Sequence, residues 1–88
     1  MEIKYKLEYT KKAVKDIKNI KAAKLSTKAI RLCSELQFNA KPECSKELSR
    51  ELKGKRSIRI NIQHRIVYEV LEDDKIVKIL SMWGHYSD

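Results

Sequence analysis

Cysteine, proline and glycine are scarce in this chain, and acidic residues are outnumbered by basic ones. The two cysteines, Cys33 and Cys44, are too few and too irregularly spaced for a disulfide framework or a zinc site. Both are therefore expected as free thiols, with Cys33 at a helix core position. No apolar run approaches the roughly 20 residues that span a bilayer. The amino-terminal MEIKYKLEY carries charges throughout and lacks the apolar region of a signal peptide. A cytoplasmic protein without a membrane partner is the expectation. Acidic residues are outnumbered, 12 Asp+Glu against 20 Lys+Arg, for a net charge of +8. Such an excess favours a polyanionic partner such as RNA, DNA, an anionic membrane or an acidic protein. The plain alternative is a solvated lysine-rich surface.

What is present suffices for one small domain over residues 1–88. Apolar residues make up 42% of the chain, enough for a modest core that buries about 60% of the unfolded surface. Residues 2–9 alternate, with Ile3, Tyr5, Leu7 and Tyr9 set against Glu2, Lys4, Lys6 and Glu8, which predicts a half-buried first strand. Thr10 is placed to cap a helix running to about Ala23. Ala13, Ile17 and Ile20 share one face of it, with Val14 beside them, while Lys11, Lys15 and Lys18 line the other as a solvated stripe or a binding surface. Ser26 or Thr27 caps a second helix to about Asn39, whose apolar stripe is Ala29, Cys33, Leu36 and Ala40. The single proline, Pro42, ends it, because the residue before proline is pushed out of the helical region. The short connection predicts an antiparallel helix hairpin, and its apolar side needs a sheet to cover.

The last third supplies that sheet. After a weaker segment at 45–52, with Leu48 and Leu52 inward, Lys53-Gly54-Lys55-Arg56 makes a basic turn. Ile58, Ile60 and Ile62 then alternate with Arg59 and Asn61, and Ile66, Tyr68 and Val70 alternate with Arg65 and Glu69. Period two puts the aliphatic set on one face and Arg59, Asn61 and Arg65 on the other. Gln63-His64 makes the connection. A polar turn at Glu72–Lys75 leads to a final strand from Ile76 to Trp83. Strands joined by short turns are antiparallel neighbours. The expected fold is α+β, in the order β-α-α-β-β-β-β: an N-terminal strand, then a two-helix hairpin packed on one face of a mainly antiparallel four- to five-stranded sheet.

RINIQHRIVYEV (59–70) followed by KIVKILSMWGHY (75–86), together with YTKKAVKDIKNIKAAKL (9–25), resembles the Txe/YoeB family of the RelE/ParE toxin superfamily. The resemblance covers most of the chain, and the basic strand pair followed by Trp-x-His-Tyr near the end is its most specific part. It implies a RelE-like domain that is the toxin of a type II toxin–antitoxin module. Its activity would be a ribosome-dependent mRNA endoribonuclease that cuts in the ribosomal A site, with no metal or other cofactor. Implied partners are ribosomal RNA, mRNA and a YefM/Axe-like antitoxin with an acidic segment, as a homodimer or a toxin–antitoxin hetero-oligomer. Arg59, Arg65, His85 and Tyr86 match the family's functional positions. The family's general-base glutamate lies in a Glu-x-Leu-x-x-x-Leu segment, read here as Lys46-Glu47-Leu48-Ser49-Arg50-Glu51-Leu52, with lysine at the glutamate position and Glu47 one residue later. A one-residue slip on a regular strand turns a side chain to the other face. Lys55-Arg56-Ser57-Ile58 likewise stands in place of the family's aromatic and paired-arginine run.

Cutting RNA in this way uses the substrate's 2′-hydroxyl as nucleophile. The enzyme must accept its proton, offset charge on the phosphoryl oxygens and protonate the leaving 5′-oxygen. Arginine suits the second task through its planar fork, and histidine can donate a proton near neutral pH. Tyr86 could contact the phosphate or stack on a splayed base. Glu47 or Glu43 could supply the proton acceptor. Lys53, Lys55 and Arg56 are candidates for RNA-backbone contacts, whereas His64 is expected only to occupy its turn and Trp83 to pack. Two other functions remain open: a catalytically weakened relative that still binds ribosome or antitoxin, and inhibition of a DNA topoisomerase.

Overall fold

The computed structural model describes residues 2–49 and 53–83. Their elements are β1 (Lys6–Tyr9), α1 (Lys11–Ala22), α2 (Ser26–Phe38), β2 (Ser45–Glu47), β3 (Lys55–Arg59), β4 (Arg65–Leu71) and β5 (Ile76–Ser81). The expected α+β order holds. The five strands form one sheet in the order β1-β5-β4-β3-β2, antiparallel except for the parallel β1–β5 pair at one edge. A parallel pair is possible there because a long connection through both helices and three strands, not a tight turn, separates β1 from β5.

Thr10 caps α1 as expected: its Oγ1 accepts a hydrogen bond from the Ala13 N–H at 3.1 Å. Leu25, rather than Ser26 or Thr27, precedes α2 as its cap residue and provides no side-chain bond. Lys24, at φ 61°, turns the chain between the helices. The core joins Ala13, Ile20, Ala29, Cys33 and Leu36 of the helices to Ile58, Ile66, Tyr68, Val77 and Ile79 of the sheet. Burial of this apolar surface is the main force holding the two layers together. Tyr68, fully buried, also satisfies its hydroxyl by donating to the Ala40 carbonyl at 2.8 Å.

Three expectations from periodicity fail. The first strand begins at Lys6, and Ile3 is 59% exposed. Lys4 and Tyr5 instead donate their N–H groups to the Gln37 carbonyl at the end of α2. Ile62 is 85% exposed, because Asn61 Oδ1 accepts the N–H groups of Gln63 and His64 at 2.9 and 2.8 Å. That bond turns the backbone before a further inward position can form. On α1, Ile17 is 40% exposed while Asp16 is buried, so a carboxylate occupies a place on the inward stripe. Gly54, at φ 90°, supplies the left-handed turn between β2 and β3.

Candidate active site

The face of the sheet away from the helices is laid out by strand register. Residues paired directly across strands point the same way, and a row of them crosses the sheet. One row is Lys46, Ser57, Val67 and Ser81. Apart from exposed Lys46 at the edge, its members are small and buried, and they form a floor. On one side of the floor runs a row of alternating sign: Lys55, Glu69, Lys78 and Glu8. On the other side Arg59 faces Arg65 directly.

These two flanking rows differ in charge balance. Each charge in the first has an opposite charge across the strand, an arrangement that stabilises a sheet. Like charges directly opposite are destabilising, and among the described residues neither Arg59 nor Arg65 has a carboxylate partner within ion-pair distance. Arg65 Nη1 makes a long hydrogen bond of 3.4 Å to Ser57 Oγ on the floor, and Arg59 is exposed. Two forked cations held side by side over a floor of small side chains can receive a phosphate bidentately.

The sequence-based site divides between the two faces. Arg59, Arg65 and Lys55 share the open face, and Lys53 is exposed in the adjoining turn. Glu47 does not join them. It pairs in register with Arg56 and, through it, Tyr68, so it stands on the helix-side face, and the residue beside the arginine row is Lys46. Arg56, on the same face as Glu47, is tied to the loop before β2. Its Nε and Nη2 donate to Ser45 Oγ at 3.1 and 2.9 Å, and Ser45 Oγ donates to the Pro42 carbonyl at 2.7 Å. That chain ties down the loop before β2 on the side away from Arg59. Glu43, the other candidate acceptor, is exposed in the same loop. His85 and Tyr86 lie outside the described residues.

At the far end of β5 the register slips: Tyr68 pairs with Ile79 but Val67 pairs with Ser81, leaving Leu80 as an extra residue. Such a bulge exchanges the faces beyond it, which is why Met82 enters the core while Ser81 lies on the floor. Trp83 follows, partly buried, with its ring stacked on His64 at 3.8 Å and 17°. His64 thus does more than occupy a turn. The residue that sequence reasoning missed is Asp16, 5% exposed, whose Oδ2 accepts the N–H groups of Met82 and Trp83 at 2.9 and 3.3 Å. The available signal was an acid set three residues after Ala13 and four before Ile20, inside an apolar stripe.

With this geometry in view, the relatives of the chain can be named. A family model for the ParE toxin of the type II toxin–antitoxin system parDE matches residues 7–88. The chain belongs to that toxin family, within the RelE/ParE superfamily. It is of the YoeB type. The toxin is 31% identical to YoeB in a YoeB–YefM complex from Staphylococcus aureus, covering 93% of this chain and 98% of that one at a TM-score of 0.77. A YoeB/ParE toxin from Agrobacterium tumefaciens shares the fold at a TM-score of 0.84 and 22% identity, covering 92% and 99% of the two chains. YafQ from E. coli does so at a TM-score of 0.77 and 20% identity, covering 92% and 93%. No curated protein matches the sequence.

Proposed function

We propose that this toxin is a ribosome-dependent mRNA endoribonuclease whose substrate phosphate sits on the Arg59–Arg65 row. The observation that carries the reading is the unbalanced charge of that row, beside a neighbouring row whose charges are matched. A like-charged pair kept on an exposed face is stabilised when an anion bridges it. The resemblance to the Txe/YoeB family supports RNA as the substrate.

In this mechanism the RNA 2′-hydroxyl gives up its proton to solvent water as it attacks the adjacent phosphorus, a 2′,3′-cyclic phosphate forms, and the 5′-oxygen leaves. Arg59 and Arg65 offset charge developing on the non-bridging oxygens. His85 protonates the leaving oxygen, and Tyr86 contacts the phosphate or a splayed base. Lys53 and Lys55 hold the RNA backbone and Lys46 adds a cation at the edge of the floor, contacts that supply affinity without sequence information. The reaction takes place in the cytoplasm. An acidic segment of a YefM-like antitoxin, laid over the same face, would bury the arginines and block RNA, with salt-sensitive association. The complex of YoeB with YefM supports such a partner.

Primer extension on ribosome-bound message tests the reading. Cuts at codons with wild-type protein, lost with Arg65→Ala, are expected; intact message with wild-type protein would overturn it. Purified protein is expected to leave topoisomerase supercoiling unaffected. One observation favours a second reading, a weakened relative that occupies the ribosome or antitoxin without efficient cutting. Lys46 faces the arginine row where the family has its glutamate, and Glu47 faces away. Growth arrest without any RNA cleavage would decide for it.

A further inference from the structure

Asp16 is a buried carboxylate with no place in the proposed chemistry, and buried charge is costly unless it is paired and hydrogen-bonded. Its pairing is specific. Lys12 Nζ lies 3.0 Å from Oδ2, one helical turn earlier, and the same oxygen receives the N–H groups of Met82 and Trp83. Thr10, the cap of the same helix, donates its hydroxyl to the Leu80 carbonyl at 2.8 Å, and its N–H bonds to the Ile79 carbonyl at 3.0 Å. Helix α1 therefore grips β5 on both sides of the bulge at Leu80. A bulged strand end is where a one-residue slip is easiest, and such a slip turns every later side chain to the opposite face.

We infer that Asp16 is a positioning residue, which fixes the backbone at Met82 and Trp83, the end of β5 that precedes His85 and Tyr86 in the sequence. The functional half of this inference rests on the reading that those two residues act on RNA; the structural half does not. Trp83 is two residues ahead of His85 and is the chain's only tryptophan. Its stack on His64 is therefore a spectroscopic report of the clamp that is independent of catalysis.

The test uses Asp16→Ala, Asp16→Asn and Asp16→Leu in the full chain. Asparagine keeps an acceptor oxygen, and leucine fills the site with an apolar group that tends to preserve folding while accepting nothing. In Asp16→Ala and Asp16→Leu, Trp83 emission is expected to move to longer wavelength and to be quenched more readily by acrylamide, with far-UV circular dichroism unchanged. In single-turnover cleavage of ribosome-bound message, the chemical step is expected to slow on the order of 10²-fold, the scale of a 1 Å misplacement. Ribosome affinity should hold, and Asp16→Asn should recover most of the rate. Wild-type emission and quenching in folded Asp16→Leu would overturn the clamp. Shifted emission with a wild-type cleavage rate would overturn its role in positioning. If wild-type protein cuts no ribosome-bound RNA, the mechanistic reading fails, while the fluorescence arm still decides whether Asp16 holds this end of β5.

Discussion

The two faces of the sheet are built by the same strands from alternate residues, yet they follow different rules. On the helix side, Ile58, Ile66, Val77 and Ile79 are no more than 1% exposed, and among the described residues the buried polar side chains have partners, as with Tyr68 on Ala40. On the open side, Lys55, Glu69 and Lys78 alternate in sign, but Arg59 and Arg65 confront each other. The covered face is optimised for stability. The open face keeps a local repulsion that stability alone would remove, which is the basis of the proposed phosphate site. Because the period is two, residues an odd number of positions apart on a strand take opposite faces: Lys46 joins the open face while Glu47 does not, and Arg59 joins it while Arg56 does not.

Substitutions on the two faces should separate stability from activity. Ile66→Ala on the covered face is expected to cost about 2–5 kcal/mol in urea unfolding, through lost burial and the cavity left behind. Loss of under 1 kcal/mol would show that the core is looser than its burial implies. Arg65→Ala on the open face should slow message cleavage on the order of 10²–10³-fold, as removal of one preorganised donor does elsewhere. Its urea midpoint should stay near wild type. A fall in stability with unchanged cleavage would invert the assignment of faces.

The neighbours in sequence sharpen the comparison further. Lys46→Ala should lower the slope of log affinity for RNA against log salt by about one, whereas Glu47→Ala should leave that slope and the cleavage rate unchanged. A large cleavage loss in Glu47→Ala would mean that β2 slips in register when RNA binds. The smallest effect concerns the thiols. Burial pushes the Cys33 thiol up from its ordinary 9.0 to about 11, against a weaker lowering by its hydrogen bond with Tyr9. Since the fold favours the neutral thiol, this contribution to stability is complete below pH 9 and is lost as pH rises through 11. At pH 8 a maleimide should label exposed Cys44 and spare Cys33 until the protein unfolds. Equal labelling of both in the native state would contradict the burial of α2.

How much of this was legible in the sequence varies with the kind of signal. The helices were legible because Thr10 and the apolar spacing of Ala29, Cys33, Leu36 and Ala40 act within a few residues of one another. The arginine face was legible because Arg59 and Arg65 alternate with isoleucines. Register between strands was not: periodicity orders residues along one strand but says nothing about which partner lies across it, so the sequence does not show that Glu47 and Arg56 stand on the other face from Arg59 and Arg65. Asp16 escaped for a related reason, since its ligands lie 66 and 67 residues away along the chain.

The sequence by itself determined the α+β order, the two helices, the basic surplus and, through the Trp-x-His-Tyr ending beside two arginines, the toxin family. These are properties of local spacing and composition, which a linear chain carries in full. Only the tertiary structure decided that Arg59 meets Arg65, that Lys46 replaces Glu47 beside them, and that β1 joins β5 in parallel. The same is true of the buried Asp16 holding the bulged end of β5. Each of these depends on contacts between distant segments, and a one-residue shift in pairing reverses the face a side chain occupies without changing the apolar pattern along the strand.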